Sequence, residues 1–507
     1  MSAAFGQPDW ISLGAVLEGY AQVAPAQDVP IRAFTVDSRR VCGGAAFVAL
    51  PGSRVHGLDY LPEALNHGPA AVVCDPNGAP DLAAAEQACV AAGVAFVPLN
   101  GLSAALGELA ARVHGHPAER LCTVGVTGTD GKTSVSQFLA RALDVPERRC
   151  AVIGTLGAGF PDALQETGLT TPDAATVQAL LRDLLERGAF HVAMEVSSHA
   201  LTQHRVAGIP FDTAVLTNLG RDHLDYHPSA QAYADAKCQL FRMDGLRLAV
   251  LNADDALGRR LHRELRPTAV DVLSYSLDAS AKAEVMCTSL QSEPDGLRMH
   301  VATPVGTVAV RAPLLGRFNA ANVLAVIGVL VGQGMTASTI ETRLARLQPV
   351  PGRMEPIVAS AGPLAVVDYA HTPGALRSAL VGLRQHVTGQ LWCVFGCGGD
   401  RDAGKRALMG AAAERLADRL IITDDNPRTE NPDAIVSAIN AGLRRPHAAR
   451  IIRDRAEAIT TALREAAPGD AVLIAGKGHE TYQITATGRH FFSDRETVRR
   501  VQAGGEP

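Results

Sequence analysis

The stretch from Val124 to Ser134 constrains the fold of this chain more than any other part of its sequence. An apolar run, Leu121 to Val126, predicts a buried strand, and a glycine-rich loop follows it. Residues Val135 to Leu143 then predict a helix with one apolar face. A strand, a glycine loop and a helix in this order form a cradle for phosphate groups, because loop N–H groups and the helix N-terminus face the anion.

Two side chains of this loop have the chemistry that nucleotide binding requires. Lys132 can reach the terminal phosphates, and Thr133 can hold a magnesium ion. The common phosphate-loop pattern has a glycine where this chain has Val126, so the loop is the shorter Gly-x-x-Gly-Lys-Thr form. A chance Gly-Lys-Thr in an ordinary turn is the alternative. We favour a nucleotide site, because every element lies where the mechanism needs it.

Composition excludes several classes of protein. A chain of 507 residues predicts about three domains. The net charge of −5, with acidic and basic residues mixed, gives no nucleic-acid footprint. No apolar window is long enough for a membrane span, and residues 1–11 lack the features of a signal peptide. Nine cysteines without a Cys-x-x-Cys pair predict a reduced, cytoplasmic compartment.

Acidic and imidazole groups follow two further predicted strands. Glu195 ends an apolar run that starts at His191, and a carboxylate at such a strand end commonly binds magnesium in phosphate-loop domains. The segment Gly220 to His227 contains two aspartates and two histidines. A zinc site is conceivable there, but the helical ligand spacing is absent. A role for His223 at a second magnesium ion or at phosphate fits better.

Other polar positions leave two interpretations open. Thr170 and Thr171 precede a predicted helix start and either bind an anion or cap the helix. Asn319 and Asn322 share a helix face and either contact an adenine edge or cap the helix. The turn around Ser38 is better explained as a capped turn than as a ligand site. Lys237 lies in a predicted helix, where its position alone predicts a surface lysine.

A linker near residues 348–356 separates a second series of alternating strands and helices. Its four predicted strands each run into a polar loop; they are Leu364 to Tyr369, Leu391 to Phe395, Arg419 to Thr423 and Ala471 to Ala475. Ligands of open parallel sheets bind at the carboxyl ends of the strands. The sequence therefore predicts a second ligand site in this part of the chain.

Taken in order, these motifs resemble the Mur ligases, the ATP-dependent amino-acid ligases of peptidoglycan synthesis. The resemblance extends from Asp37 to Glu480. It implies an α/β protein of three domains: a small uridine-nucleotide-binding domain (1–105), a central P-loop ATPase domain with a mostly parallel sheet (106–347), and a C-terminal Rossmann-like domain that binds the amino acid (348–507).

The resemblance also implies roles for the site residues. The catalytic residues are Lys132, Lys237 and His223. The residues that contact ATP are Gly128, Thr129, Asp130, Gly131, Lys132, Thr133, Ser134, Asn319, Asn322, Arg353, Asp368 and His371. The residues that hold magnesium are Thr133, Glu195, His223 and a carbamylated Lys237, whose anionic carbamate replaces the ammonium of a surface lysine.

The same resemblance assigns the two other substrates. UDP-N-acetylmuramoyl-dipeptide contacts Ser38, His56, Gly57, Thr170, Thr171, Ser197, Ser198, Gln203 and Arg205. The amino acid contacts Arg401, Asp425, Asn426, Pro427, Arg428, Gly476 and Glu480. An arginine at position 428 is the form found in members that add meso-diaminopimelate. Its guanidinium can pair with the distal carboxylate that lysine lacks.

The implied reaction phosphorylates a D-glutamyl side-chain carboxylate with ATP, and the amine of the amino acid attacks the acyl phosphate. The implied enzyme has no nucleic-acid partner and is a monomer. Alternatives are a lysine-adding member, a folylpolyglutamate synthetase-like ligase, a P-loop GTPase and an inactive scaffold. The chain has no Asn-Lys-x-Asp guanine motif, and its catalytic positions carry competent residues.

Overall fold

The computed structural model of the protein describes residues 10–52, 54–223, 225–358 and 362–505. The chain divides into two compact units, Met1–Leu273 and Ser274–Pro507. Most of the signal-peptide prediction concerns residues 1–9, which lie outside the described residues. The predicted boundaries after residues 105 and 347 stay predictions.

The first unit begins with a small parallel sheet. Its strands, in spatial order, are Ala33–Thr35, Ala45–Ala49, Ala71–Cys74 and Ala95–Pro98. The α-helices of this part are Leu13–Leu17, Leu61–Asn66, Leu82–Ala91 and Leu102–Val113, and Ile11–Ser12 pairs with Pro30–Ile31. The first strand ends at Thr35, and the Asp37 side chain then accepts the Arg39 N–H at the start of a 3₁₀ turn, Ser38–Arg40.

A larger sheet follows in the same unit. Its parallel strands, in spatial order, are Arg149–Gly154, Ala189–Glu195, Cys122–Thr127, Thr213–Leu216 and Leu248–Asn252. Gly157–Phe160 and Ala163–Gln165 extend it antiparallel. Its helices are Lys132–Leu143, Ala174–Glu186, Ser198–Thr202, Ala230–Cys238 and Ala256–Leu265. The central strand Cys122–Thr127 is almost wholly buried, as its apolar sequence predicts.

Of the two interpretations of Thr170 and Thr171, the one in which they cap the helix is wrong. Asp173 caps the helix Ala174–Glu186, with its side chain accepting the Thr176 N–H. Thr171 instead donates its hydroxyl to the carbonyl oxygen of Glu195 at 2.7 Å. The hydroxyl of Thr170 lies 3.0 Å from that of Thr155. Both threonines therefore form hydrogen bonds at the ends of neighbouring strands.

The second unit opens with the antiparallel strands Val285–Glu293, Gly296–Thr303 and Gly306–Ala312. The boundary between the units falls inside the strand Asp271–Ser276. The helices Arg317–Gly332 and Ala337–Leu344 follow.

A six-stranded sheet completes this unit. In spatial order its strands are Glu355–Ile357, Leu364–Asp368, Ala471–Ala475, Leu391–Phe395, Arg419–Ile422 and Ala449–Ile451. All neighbours are parallel except the first pair. The helices are Pro373–Arg384, Gly404–Leu416, Pro432–Asn440, Arg455–Glu465 and Asp494–Gln502, and Tyr482–Thr485 forms a hairpin with Gly488–Phe491. The carboxyl ends of the four predicted strands thus lie at one edge of the sheet, as expected.

Candidate active site

The phosphate loop has a backbone that only glycine can adopt at two points. Gly128 has a φ of +150°, and a Cβ there would lie 1.8 Å from Oγ1 of Thr217. Gly131 has a φ of +84° and directly precedes the helix Lys132–Leu143. Because Gly131 has no side chain, the first N–H groups of this helix receive no side-chain cap. The helix N-terminus therefore remains suited to an anion.

The neighbouring strand end holds this loop in place. The carbonyl oxygen of Asn218 accepts the Thr129 N–H at 2.9 Å, and its Oδ1 accepts the Asp130 N–H at 3.0 Å. The Thr217 hydroxyl donates to the Asp130 carbonyl at 2.6 Å. The hydroxyls of Thr129 and Tyr233 lie 3.0 Å apart. The loop backbone is thus fixed by protein contacts before any ligand arrives.

Two lysines meet at the carbonyl oxygen of Gly128. Lys132 Nζ donates to it at 2.8 Å and Lys237 Nζ at 2.7 Å. The side chain of Lys237 is only 1% exposed, so the surface position predicted from its helix is wrong. Burial, reinforced by the charge of Lys132, lowers the pKa of Lys237 well below its ordinary value. Burial therefore favours the neutral amine of Lys237 over its charged form.

Glu195 is buried at the strand end where the sequence predicts it, with 1% exposure. Its Oε2 accepts the hydroxyls of Thr133 at 2.9 Å and Thr155 at 3.1 Å, and its Oε1 accepts the Thr155 N–H at 2.8 Å. A Cβ on Gly154 would lie 2.2 Å from Oε1, so the glycine makes room for the carboxylate. This arrangement fixes an anionic group beside the first turn of the phosphate-loop helix.

Three histidines form a compact aromatic cluster in the same unit. The ring of His199 lies 4.7 Å from that of His223 and 5.7 Å from that of His227. Burial, followed by the charges of these two neighbours, lowers the pKa of His199 to about 4. His227 Nε2 lies 3.0 Å from the Ser198 hydroxyl. His223 has a φ of +54° and its Nε2 lies 3.4 Å from Asp222 Oδ2.

Predicted contacts for the muramoyl-dipeptide gather close to this cluster. Arg205 donates from Nη1 to the Thr171 carbonyl at 2.8 Å and from Nη2 to Gln203 Oε1 at 2.6 Å. Gln203 donates in turn to the Tyr226 hydroxyl at 3.0 Å. Ser197 caps the short helix Ser198–Thr202. Arg205, Gln203 and Thr171 are therefore brought together, as the resemblance implies.

The side chains of Ser38 and His56, predicted contacts of the uridine nucleotide, form hydrogen bonds with other protein groups. His56 Nδ1 accepts the Leu58 N–H, and its Nε2 lies 3.0 Å from the Asp75 carbonyl. The Ser38 hydroxyl donates to Glu63 Oε2 at 2.5 Å. A Cβ on Gly57 would lie 2.6 Å from the Cα of Ala49. Both ring nitrogens of His56 thus have protein partners, and Gly57 permits a close backbone approach.

The predicted ATP residues of the second unit form two groups. Asn322 donates to Asn319 Oδ1 at 3.0 Å, and Asn319 donates to the Leu315 carbonyl at 2.9 Å. Neither asparagine caps the helix, because its N-cap is Gly316. The second group surrounds Tyr369, whose ring lies 4.4 Å from the Arg353 guanidinium, 4.7 Å from His371 and 5.1 Å from His479. Asp368 accepts the backbone N–H groups of Met354 and Ala370.

The predicted amino-acid site forms at three strand ends of the second unit. Arg428 has a φ of +54°, a strained value for a non-glycine residue. Its N–H donates to the Ile484 carbonyl at 3.0 Å and its Nη1 to the Gly399 carbonyl at 2.7 Å. A Cβ on Gly398 would lie 2.9 Å from Arg428 Nη1 and 3.8 Å from Arg401 Cγ. The two arginines therefore flank Gly398, with Arg401 exposed.

The other predicted residues of this site are linked below Arg428. Asn426 donates to Glu480 Oε2 at 3.0 Å. A Cβ on Gly476 would lie 2.6 Å from Asp425 Oδ2, so glycine is needed for this close approach. Pro427 is buried between Asn426 and Arg428. The site thus combines exposed or half-buried guanidinium groups with carboxylates.

A buried ion pair supports this strand edge. Arg455 Nε and Nη2 each donate to Asp494 at 2.7 Å, and both side chains are fully buried. Arg455 also donates to the Ala475 carbonyl at 3.0 Å, which is the residue before Gly476. The pair therefore links a helix start to the strand that carries part of the site.

Replacing Asp494 with alanine should lower the free energy of unfolding by about 3–5 kcal/mol, because the guanidinium of Arg455 loses its buried partner. Urea denaturation followed by circular dichroism measures this. Asp235→Ala, at an ion pair with Arg260 that is half exposed, is the control and should cost about 1 kcal/mol or less. A loss for Asp494→Ala as small as that of the control would contradict the expectation.

Sequence reasoning assigned no role to several residues at these sites, among them Thr155, Lys477, Arg455 and Asp494. Thr155 directly follows a strand and Lys477 lies two residues after one, so the polar-strand-end signal used for Glu195 could have found them. Arg455 and Asp494 have no local signal, because each lies at a helix start and finds its partner 39 residues away. 

Two features are absent from the described residues. No group of three or more His, Cys, Asp or Glu side chains there could hold a metal ion. Likewise, no helix within the described ranges is long and apolar enough to cross a membrane. All nine cysteines, which lie inside these ranges, are free thiols.

Comparisons with known proteins show the family to which this chain belongs. Three family models match in order: "Mur ligase family, catalytic domain" over residues 30–114, "Mur ligase middle domain" over 126–330 and "Mur ligase, glutamate ligase domain" over 352–478. The chain therefore belongs to the Mur ligase family. It has the three-domain α/β architecture of this family and is an ATP-dependent ligase.

Several similar proteins share one more specific name. A protein of Alkalilimnicola ehrlichii, named UDP-N-acetylmuramoyl-L-alanyl-D-glutamate–2,6-diaminopimelate ligase, is 52% identical and covers 97% of this chain and 99% of its own length. A protein of Pseudomonas putida with the same name is 47% identical over 95% and 97% of the two chains. A solved structure with this name has a TM-score of 0.70 and 35% identity, covering 98% and 99%.

Proposed function

We propose that this enzyme joins meso-diaminopimelate to UDP-N-acetylmuramoyl-L-alanyl-D-glutamate at the expense of ATP, in peptidoglycan synthesis. The observation that carries the choice of amino acid is Arg428, held by Gly399 and Ile484 at the sheet edge. The names of the relatives support the same substrates. The fixed guanidinium can pair in a fork geometry with the distal carboxylate of diaminopimelate. Glu480 can accept hydrogen bonds from the distal ammonium group, and Arg401 offers a second cation for a carboxylate of the substrate.

In the proposed reaction the γ-phosphoryl group of ATP moves to the D-glutamyl side-chain carboxylate, and ADP leaves. Lys132 Nζ would exchange its carbonyl partners for phosphate oxygens and offset the charge that develops there. The N–H groups of the phosphate loop, from Gly128 to Ser134, would orient the phosphates. The amine of diaminopimelate then attacks the acyl carbon, inorganic phosphate leaves, and the nitrogen loses a proton.

The residues at Glu195 fit a magnesium ion. A buried carboxylate and the hydroxyl of Thr133 are hard oxygen donors, which Mg²⁺ prefers. Magnesium commonly takes one or two carboxylates and completes its shell with phosphates and water, so no cage of three protein groups is needed. When bound, the ion would neutralise charge on the phosphate oxygens. His223 is a further proposed ligand of the magnesium ion.

The fourth proposed magnesium ligand is Lys237 in carbamylated form. Its buried, neutral amine can attack the carbon of CO₂, form a C–N bond and release a proton. The product is a carbamate anion, which offers oxygen donors where the unmodified side chain offers only nitrogen. This proposal explains why a lysine is buried beside another lysine.

Lys237→Ala should lose most activity, and added short carboxylic acids such as acetate should restore part of it if a carbamate is the working group. A small anion can occupy the space that the truncated, buried side chain leaves. ADP release at increasing acetate concentration measures this. Lys132→Ala is the matched control and should not respond, because its missing group is a cation. Absence of rescue at every concentration would contradict the carbamate.

We further propose that the muramoyl-dipeptide binds through Thr170, Thr171, Ser197, Ser198, Gln203 and Arg205, and its uridine nucleotide through Ser38, His56 and Gly57. The ATP adenine and ribose would meet Asn319, Asn322, Arg353, Asp368 and His371. Nine free thiols support a reduced, cytoplasmic compartment. A monomeric state stays a prediction.

The deciding experiment measures ADP release with UDP-N-acetylmuramoyl-L-alanyl-D-glutamate and a panel of amino acids. Turnover with meso-diaminopimelate and little with L-lysine is the expected result. Preference for lysine would favour the lysine-adding alternative. Turnover only with a folate and glutamate would favour a folylpolyglutamate synthetase-like enzyme, and neither the relatives nor Arg428 favours that outcome.

A further inference from the structure

Lys477 is a fully buried cation beneath the proposed amino-acid site, with none of its side chain exposed. It directly follows Gly476 at the end of the strand Ala471–Ala475. Its Nζ lies 3.0 Å from Asn426 Oδ1, 3.3 Å from Glu480 Oε2 and 3.8 Å from Asp425 Oδ1. It therefore touches three residues of the site from below.

The contact with Asn426 determines which way its amide group points. Asn426 Oδ1 accepts hydrogen bonds from Lys477 Nζ at 3.0 Å and from the Ile484 N–H at 2.9 Å. Asn426 Nδ2 donates to Glu480 Oε2 at 3.0 Å. Reversing the amide would direct its NH₂ group at two donors and its oxygen at a carboxylate. Lys477 thus helps to fix a single amide orientation.

The contact with Glu480 determines which carboxylate oxygen is used inside the protein. Lys477 and Asn426 both donate to Oε2, at 3.3 Å and 3.0 Å. Neither of these two bonds uses Oε1. These two bonds fix Oε2 and so set the orientation of the whole carboxylate, to which the Tyr482 side chain also makes a hydrogen bond.

The charge of Lys477 also matters for this arrangement. Asp425 and Glu480 are both largely buried, with 9% and 15% of their side chains exposed. Lys477 is a fully buried cation in contact with both. An apolar replacement would leave two neighbouring carboxylates without it, which is costly in a buried site.

We propose that Lys477 is a positioning residue of the amino-acid site, which holds Asn426 and Glu480 in the orientation that receives the substrate. It acts through these two side chains and does not itself touch the amino acid. The proposal rests on the amino-acid site assigned under the proposed function.

The test compares the kinetics of the full-length enzyme and its Lys477→Met variant. ADP release is measured while meso-diaminopimelate, ATP and the muramoyl-dipeptide nucleotide are varied in turn. Lys477→Met should raise the KM for meso-diaminopimelate about tenfold or more, since two charged hydrogen bonds are lost. The KM values for ATP and for the nucleotide substrate should stay within about twofold of wild type.

Two further variants sharpen the test. Lys477→Gln retains an N–H donor for Asn426 Oδ1 without the charge, so its KM for meso-diaminopimelate should fall between those of wild type and Lys477→Met. Lys282→Met, at an exposed lysine of the same unit, should match wild type. If Lys477→Met does not fold, as judged by its melting temperature, the same KM comparison is made with Lys477→Gln.

Two results would overturn the proposal. One is an unchanged KM for meso-diaminopimelate in a folded Lys477 variant. The other is an equal rise in all three KM values, which would indicate a general loss of structure. Failure of the proposed function has a different signature: wild-type enzyme would then show no turnover with meso-diaminopimelate, and the inference about Lys477 would fall with it. If the wild-type enzyme turns over meso-diaminopimelate and the Lys477 variants have the same KM for it, only the inference about Lys477 is rejected.

Discussion

Lys132→Ala is expected to lower the rate of ADP formation by about 100-fold or more. Lys132 Nζ is held by the Gly128 and Thr129 carbonyl oxygens at 2.8 and 2.9 Å, directly at the phosphate loop. The loop backbone is fixed independently by Asn218, so the alanine variant should keep the loop and lose only the cation. Charge developing on the transferred phosphoryl group would then be stabilised less.

The measurement is a coupled assay of ADP release at saturating substrates. Lys282→Ala, at an exposed lysine, controls for the loss of a lysine elsewhere and should retain wild-type activity. The melting temperature of Lys132→Ala should remain close to that of wild type. If the folded variant kept appreciable turnover, the assignment of this loop to ATP would be wrong.

Arg428→Ala is expected to raise the KM for meso-diaminopimelate about 10- to 100-fold, the equivalent of about 1.5–3 kcal/mol for hydrogen bonds to a charged group. The guanidinium is preorganised by its bond to the Gly399 carbonyl, and the backbone around it by the bond to Ile484. Loss of this group removes the proposed partner of the distal carboxylate. Lysine has no such carboxylate, so its already poor use should change little.

The informative quantity is therefore the ratio of kcat/KM for meso-diaminopimelate to that for L-lysine, which should fall in Arg428→Ala. The KM for ATP should not change. Arg377→Ala, at an exposed arginine on a helix of the same unit, is the matched control. An unaltered ratio would place amino-acid selection elsewhere in the protein.

Local sequence patterns predicted most of the fold around these residues. The strand Cys122–Thr127 and the four parallel strands of the second unit are apolar runs ended by glycine or polar residues, and each lies within a few residues of its expected position. The helix after the phosphate loop starts at Lys132, three residues earlier than its apolar face indicates. Its first turn is polar because it faces the ligand site, so apolar periodicity could not mark it.

Long-range contacts explain what the sequence could not predict. Lys237 lies on a short helix, and only its bond to Gly128, 109 residues earlier, reveals that it is buried. Thr171 has the sequence position of a helix cap, but the end of the strand at Glu195 recruits its hydroxyl. The support of Asn426 by Lys477 similarly joins two loops 51 residues apart. In each case the partner is determined by the sheet topology and not by neighbouring residues.

The bonds between Asn218 and the phosphate loop have a consequence for the thermodynamics of nucleotide binding. A loop that is disordered in the free protein must lose backbone conformational entropy when it closes around phosphate, at about 1–2 kcal/mol per residue. Thr129 and Asp130 are already tied to the neighbouring strand end. Little of the intrinsic binding free energy is then spent on ordering this backbone, and more of it remains for affinity and for stabilising the transition state.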